Sequence, residues 1–125
     1  MKTPINNRVI LSVMAMFNGT ELVFKIDGLT LGEFDPSAEG FYKNVQTFAF
    51  KVKKRRAIRM DIKADVPVDI AVADENGSSV SYKQAVKEGM IGPFPTEGNR
   101  EMGMILGIHP GDKATVSVEV WMERS

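Results

Sequence analysis

The chain has 125 residues, of which 43% are hydrophobic and 26% are charged, and its formal net charge is zero. This length and composition predict one globular domain with room for a core, and they exclude a disordered or fibrous chain. Because the chain contains no cysteine, disulfides, thiolate metal sites and cysteine nucleophiles are excluded. The lack of cysteine fits the cytoplasm better than an oxidising exterior, although cysteine-free secreted domains also exist.

The first apolar segment covers residues 9–17 and is interrupted only by Ser12. It is much shorter than the roughly 20 residues that a helix needs to span a bilayer. The segment that follows, Asn18-Gly19-Thr20-Glu21, contains no small-x-small cleavage site of the kind that ends a secretion signal. We therefore interpret residues 9–17 as a strand and expect a cytoplasmic chain without a membrane span.

Apolar and polar residues alternate along most of the chain, which is typical of half-buried strands. The clearest examples are residues 48–52, 58–63, 68–72 and 114–122. Asn18-Gly19 and Asn76-Gly77 predict hairpin turns, because such pairs tolerate the positive φ angles of tight turns. We expect residues 53–56 to close another hairpin, and Pro110-Gly111-Asp112 to join the last two strands in the same way.

These patterns predict an all-β fold, an antiparallel β-sandwich or jelly roll of about seven or eight strands. One short helix is expected near residues 79–88, where Ser81 could cap it and Gly89 could end it. The proline- and glycine-rich residues 89–98 ("GMIGPFPTEG") are expected to form a long loop.

The segment "VPVDIAVADENGSSV", followed later by "MILGIHPGDKATVSVEVW", resembles the GOLD-like and pre-peptidase-like jelly-roll domains. In those families a strand ends in a short polar turn, and a penultimate apolar strand and a Pro-Gly-Asp-type turn lead to a closing strand. The segment "FAFKVKKRRAIRMDIKA" is similar to their preceding hairpin, so the resemblance covers about residues 45–122. It implies a non-catalytic binding or accessory module, in families that usually lie outside the cytosol.

Catalytic chemistry has little support in the sequence. His109 is the only histidine and adjoins Pro110, which favours a surface turn over a general base. Asp35, Ser37 and Glu39 look like the start of a calcium loop, but Gln46 stands where such a loop needs its glutamate. Phosphate-binding and dinucleotide-binding glycine motifs are also lacking. We therefore predict no enzyme, no catalytic residue, no metal and no cofactor.

Residues 51–63 ("KVKKRRAIRMDIK") carry seven basic side chains and one acidic side chain, a net charge of +6 against −6 for the rest of the chain. Such a hairpin could bind the phosphate groups of nucleic acid, or the charged groups of another polyanion. Its candidate polyanion-binding residues are Lys53, Lys54, Arg55, Arg56 and Arg59. The alternatives are a solvated charge run, or a surface that pairs with acidic groups of this domain, of a partner or of a second subunit.

A second set of candidates is apolar. Trp121 falls on the polar face of the last strand, and Met90, Ile91 and Phe94 lie in the proline-rich segment. Exposed aromatic and apolar groups of this kind favour a partner-binding surface. The leading hypothesis is a non-catalytic binding or assembly module that contacts a protein partner or forms a homo-oligomer. The alternatives are nucleic-acid or polyanion binding through residues 51–63, and carbohydrate or small-ligand binding with Trp121 as a stacking platform.

Overall fold

The structure is a computed structural model in which residues 19–32 and 44–124 are described. One antiparallel sheet of six strands accounts for about three quarters of this part of the chain: β1 (Thr20–Leu31), β2 (Val45–Lys51), β3 (Arg56–Ala73), β4 (Ser79–Pro95), β5 (Glu101–Gly107) and β6 (Ala114–Arg124). The predicted all-β class is confirmed. The described residues contain no helix that is long and apolar enough to cross a membrane. The predicted strand at residues 9–17 and the segment from Asp35 to Glu39 lie outside the described residues.

The sheet is organised around β3, which is 18 residues long and changes its pairing partner near its middle. Its first half pairs with β6 up to Ala64, and its second half pairs with β5 from Asp69 onward. The strand β4 lies along the other edge of both halves, but its register jumps between Lys63 and Val68. Pro67 falls inside this jump, where the missing N–H of proline breaks no ladder hydrogen bond. Because the partner changes here, the register jumps and both halves share one core, we infer that β3 bends between Lys63 and Val68.

This bend divides the sheet into two halves that face each other across one core. The first half-sheet consists of β1, β6, the start of β3 and the end of β4, and the second consists of β2, β5, the end of β3 and the start of β4. Alternate side chains of each half point inward and are almost completely buried, among them Met60, Ile62, Ile70, Val72, Met104, Leu106, Val118 and Val120. Residues from both halves belong to the same hydrophobic cluster. The fold is thus a curled, sandwich-like sheet.

The outer strands of the two halves, β1 and β2, come together on one side. The ring of Phe24 on β1 lies 5.8 Å from the ring of Phe48 and 6.0 Å from that of Phe50, measured between centroids. The amide of Gln46 on β2 donates to the carbonyl of Thr30 on β1 at 3.3 Å. The sheet therefore curls toward closure on the β1–β2 side.

Carboxylates near the bend and the turn hold backbone groups that lack a partner in the ladder. Asp65 accepts a hydrogen bond from the N–H of Thr115 at 2.8 Å, and Asp69 accepts one from Ala85 at 3.0 Å. At the β3–β4 turn, Asp74 accepts from the N–H groups of Asn76 and Ser78, both at 2.9 Å. The hairpin predicted at Asn76-Gly77 is confirmed, and Gly77 has a φ of +84°.

Two predicted local structures are wrong. Residues 79–88 form the first part of strand β4, not a helix, and residues 89–95 continue that strand where a loop was expected. The reason is that β4 pairs with β3 along nearly its whole length, and this pairing supplies the backbone hydrogen bonds that a helix would otherwise provide. Only residues 96–100 form the connection to β5.

Two predicted hairpins are also wrong. The strands β2 and β3 follow each other in sequence but do not pair, because β2 pairs with β5. Residues 52–55 are therefore a turn between two separated strands. Similarly, residues 108–113 do not close a β5–β6 hairpin, because β5 and β6 pair in succession with β3, on either side of its bend.

A pair of glycine substitutions tests this fold. Gly32 has a φ of +83°, and a Cβ added there would overlap the carbonyl oxygen of Asp112. We expect Gly32→Ala to lower the free energy of unfolding by more than the roughly 1–2 kcal/mol that a left-handed backbone alone costs. Gly103 has an extended backbone, and the nearest atom to its added Cβ is the Phe48 oxygen at 3.6 Å.

Gly103→Ala is the matched control, and we expect it to be neutral or to stabilise the fold by up to about 1 kcal/mol. Urea unfolding followed by circular dichroism measures both changes. Equal effects of the two substitutions would contradict the close approach of Gly32 to the residues before β6.

Candidate functional site

The outward side of the first half-sheet carries a groove of about 570 Å³. Strands β1, β6, β3 and β4 each contribute to it, and the charged and apolar side chains around it are Lys25, Asp27, Asp61, Lys63, Glu88, Met90 and Glu119. We call this side, together with the adjacent Arg59, Trp121 and Glu123, the groove face. Successive side chains of a strand point to opposite faces of the sheet. The residues that alternate with these on β3 and β6 point into the core, so the residues of the groove face point to the outer side of the sheet.

Cross-strand pairing fixes the order of charges in the groove. Lys25 on β1 lies opposite Glu119 on β6, and their charged groups are 3.8 Å apart. Glu119 in turn lies opposite Asp61 on β3, and Asp61 lies opposite Met90 on β4. Two carboxylates are thus direct cross-strand neighbours, an arrangement that normally destabilises a sheet.

The next row across the groove contains Ser117, Lys63 and Glu88, again in cross-strand register. The hydroxyl of Ser117 accepts a hydrogen bond from the N–H of Gly28 at 3.0 Å, and Asp27 lies beside the same hydroxyl at 3.4 Å. The groove face as a whole has five acidic side chains and only three basic ones. Its net charge is therefore negative, although two of its basic residues come from the basic segment 51–63.

Arg59 occupies one end of the groove face, opposite Trp121 in the register. Its guanidinium donates to the carboxylate of Glu123 at 2.6 Å and lies 4.0 Å from the carboxylate of Asp61. The guanidinium carbon is 5.7 Å from the centroid of the Trp121 ring, which is a cation–π arrangement. Arg59 is thus engaged with neighbours on three sides.

The structure separates the predicted polyanion-binding residues into two groups. Arg59 is on the groove face, whereas Lys53, Lys54, Arg55 and Arg56 lie in and just after the β2–β3 turn. The turn also brings in Arg124, which is opposite Arg56 in the β3–β6 register. Lys53, Arg56 and Arg124 line a depression of about 200 Å³, in which Glu21 is the acidic residue. Lys53 is 3.9 Å from that glutamate, and both side chains are largely exposed.

The predicted partner-binding residues are likewise divided. Trp121 and Met90 both lie on the groove face, and Met90 is 54% exposed. Ile91 is only 5% exposed and belongs to the core, and Phe94 packs against that core. Of the apolar candidates on β4, only Met90 therefore presents its side chain to a partner.

His109 is exposed in the β5–β6 connection, with its Nδ1 3.0 Å from the carbonyl oxygen of Pro110.

Thr96 is a residue that sequence reasoning missed. It is completely buried, and it joins residues 53–56, which we call the basic turn, to the connection between β4 and β5. Its hydroxyl donates to the carbonyl of Lys53 at 2.6 Å and accepts from the N–H of Arg56 at 2.9 Å. The backbone of Thr96 also donates to the carbonyl of Arg56 at 2.7 Å. A threonine after Pro95 reads as an ordinary loop residue, so the sequence offered no signal for this role.

Comparison with known proteins does not assign the chain to a family or give it a function. No protein-family model matches the chain, and a search of curated proteins finds no significant match. Groups of at least three histidine, aspartate or glutamate side chains that could hold a metal ion are also absent from the residues that the structure describes. Any function must therefore be argued from the groove face and the basic turn.

The role of Thr96 can be tested by substitution. Thr96→Val keeps the shape of the side chain but leaves the Lys53 carbonyl and the Arg56 N–H without their partner. We expect a loss of about 1–3 kcal/mol in the free energy of unfolding, the cost of leaving a buried polar group unsatisfied. Thr96→Ser retains the hydroxyl and is the control. Urea unfolding measures both variants, and a loss for Thr96→Ser without a loss for Thr96→Val would mean that the methyl group matters and the hydrogen bonds do not.

Proposed function

We propose that this chain is a non-catalytic binding module that contacts a protein partner through the groove face. The observation that carries the proposal is the direct cross-strand pairing of Asp61 with Glu119 beside the exposed Met90. Two adjacent carboxylates repel each other, so a basic group placed between them gains favourable interactions with both. The partner that fits is an extended protein segment with lysine or arginine side chains and an apolar residue to contact Met90.

The shape of the groove supports a polypeptide over an enclosed small ligand. Four strands form its floor and walls, and charged side chains from β1, β3, β4 and β6 surround it. The groove is open and not an enclosed cavity, whereas small-molecule pockets usually bury most of the surface of their ligand. A sugar stacked on Trp121 is less well supported, because Arg59 already lies over the ring. A charged groove also favours specificity and fast association with a partner of opposite charge.

A titration with synthetic peptides tests the proposal. The chain has a single tryptophan, Trp121, so its fluorescence reports directly on the groove face. We expect a peptide that contains Lys, Arg and Leu to bind and to change this fluorescence, and a length-matched peptide with Glu in place of the basic residues not to bind. The double variant Asp61→Asn/Glu88→Gln should weaken binding about tenfold, equivalent to roughly 1.4 kcal/mol.

Glu101→Gln is the matched control, because Glu101 is an exposed carboxylate on β5, outside the groove face. It should leave the affinity for the basic peptide unchanged. Equal affinities for the basic and acidic peptides, or equal effects of the control and the double variant, would contradict the proposal.

A second candidate function is polyanion binding at the basic turn. The observation in its favour is the convergence of Lys53, Arg56 and Arg124 around one small depression, with Lys54 and Arg55 adjacent in sequence. A phosphate or sulfate group in this depression would be close to several cations. Arg59 is not part of this group, since it is paired with Glu123 on the groove face.

Heparin chromatography tests the second candidate. We expect the chain to bind heparin and the charge reversal Lys53→Glu/Lys54→Glu to elute at much lower salt, because each phosphate-like contact adds to the salt dependence of binding. Lys63→Glu is the control, since Lys63 is an exposed lysine of the same basic segment but lies on the groove face. Elution of the double reversal with the unmodified chain, or a larger effect of Lys63→Glu, would count against binding at the turn.

A further inference from the structure

One methionine differs from the others of the described chain in its exposure. Met60, Met102, Met104 and Met122 are between 0% and 4% exposed, whereas Met90 is 54% exposed. Buried methionines fill gaps in a core, and an exposed, flexible methionine is typical of a binding surface that adapts to its partner. The core therefore explains the four buried methionines, and it does not explain Met90.

The thioether of Met90 lies open beside the carboxylates of the groove. Asp61 is directly opposite Met90 on β3, and Glu119 is the next residue across on β6. The preceding residue, Gly89, has no side chain, and a Cβ added there would meet no atom within 4 Å. Met90 is thus an apolar group that solvent and small reagents reach freely.

Oxidation changes the chemical character of a thioether. When hydrogen peroxide reacts with the sulfur of Met90, a sulfur lone pair attacks one peroxide oxygen, the O–O bond breaks and an S–O bond forms. The sulfur loses two electrons, and the peroxide is reduced to water. The product, methionine sulfoxide, is polar, and methionine sulfoxide reductases convert it back to the thioether. Because peroxide must reach the sulfur, Met90 reacts before the buried methionines.

We propose that Met90 is a reversible oxidation site, and that its sulfoxide weakens the binding of a partner to the groove face. The proposal rests on the function proposed above, because it concerns the apolar partner residue that contacts Met90. An apolar group that covers the sulfoxide oxygen leaves a polar atom without a hydrogen-bond partner, which opposes binding. The carboxylates of Asp61 and Glu119 do not change. Oxidation therefore removes the apolar contact and leaves the electrostatic attraction in place.

Peptide mapping by mass spectrometry after graded treatment with hydrogen peroxide tests the oxidation site. We expect the folded chain to gain one oxygen atom on Met90 at peroxide concentrations that leave Met60, Met102 and Met104 unmodified. The chain unfolded in urea is the control, and there the four methionines should react at similar rates. Oxidation of Met102 or Met104 as fast as that of Met90 in the folded chain overturns the proposal.

Calorimetric titration with the basic peptide that contains Lys, Arg and Leu tests the effect on binding. We expect oxidation to weaken binding about tenfold, equivalent to roughly 1.4 kcal/mol, and methionine sulfoxide reductase to restore it. Met90→Leu is the matched control, because leucine is apolar and is not oxidised by peroxide. Its affinity should be the same before and after treatment. An unchanged affinity of the oxidised parent chain overturns the proposal, and so does an equal loss in Met90→Leu.

A second peptide separates a failure of this proposal from a failure of the proposed function. With Ser in place of Leu, the peptide keeps its basic residues but has no apolar contact with Met90, so oxidation should not change its affinity. An equal loss for both peptides would contradict the loss of an apolar contact. If neither peptide binds the unoxidised chain, the proposed function is wrong and the effect on binding with it, whereas peptide mapping still decides the oxidation site.

Discussion

The bend in β3 is the constraint on which the rest of the fold depends. A straight strand of 18 residues would have kept β5 and β6 in one flat sheet, with one apolar face open to water. Because the ladder is interrupted between Lys63 and Val68, the two parts of β3 direct their inward side chains at a shared core. The bend also forces β4, the partner of β3, to follow both halves. This leaves β4 as the strand whose outer edge has no described neighbour.

The bend also decides where the charges of the basic segment go. In sequence, residues 51–63 look like one continuous basic element, and in the structure they cross from a turn into a sheet. Lys53 and Arg56 stay at the turn with Arg124, whereas Arg59 and Lys63 lie on a face where carboxylates outnumber them. Part of the negative charge that balances the basic segment therefore comes from carboxylates next to it on the groove face. A net charge counted along a sequence window does not describe any one surface of a folded sheet.

The sequence predicted strands well wherever the two faces of a strand differ in environment. Ile58, Met60 and Ile62 alternate with polar residues because one face meets the core, and this gives a period that can be read directly. No such period exists in residues 79–88, since β4 exposes both faces there, and its lysines and glutamate suit a helix equally well. Strand pairing was less predictable still. Alternation shows which face of β2 is buried, but it does not show that β5 lies beside it.

The groove face could be predicted only in part for the same reason. The alternation of apolar and polar residues predicted that Arg59, Asp61 and Trp121 lie on the solvent-exposed faces of their strands. It did not predict that β3 pairs with β6, because these strands are far apart in the sequence. Met90 and Ile91 are adjacent residues with similar side chains, and they differ in exposure because a strand directs them to opposite faces. With residues 89–98 expected to form a loop, no periodicity was available to separate them.

The acidic residues of the described chain have two distinct roles. Asp65, Asp69 and Asp74 each accept backbone N–H bonds at the bend or at the turn, so the fold itself accounts for their presence. Asp61 and Glu88 hold no backbone group in the described residues, and they lie in an open groove. Asp61 also lies directly opposite Glu119, and like charges in direct cross-strand register lower the stability of a sheet. Such residues are the ones for which an interaction with a partner offers the better physical explanation.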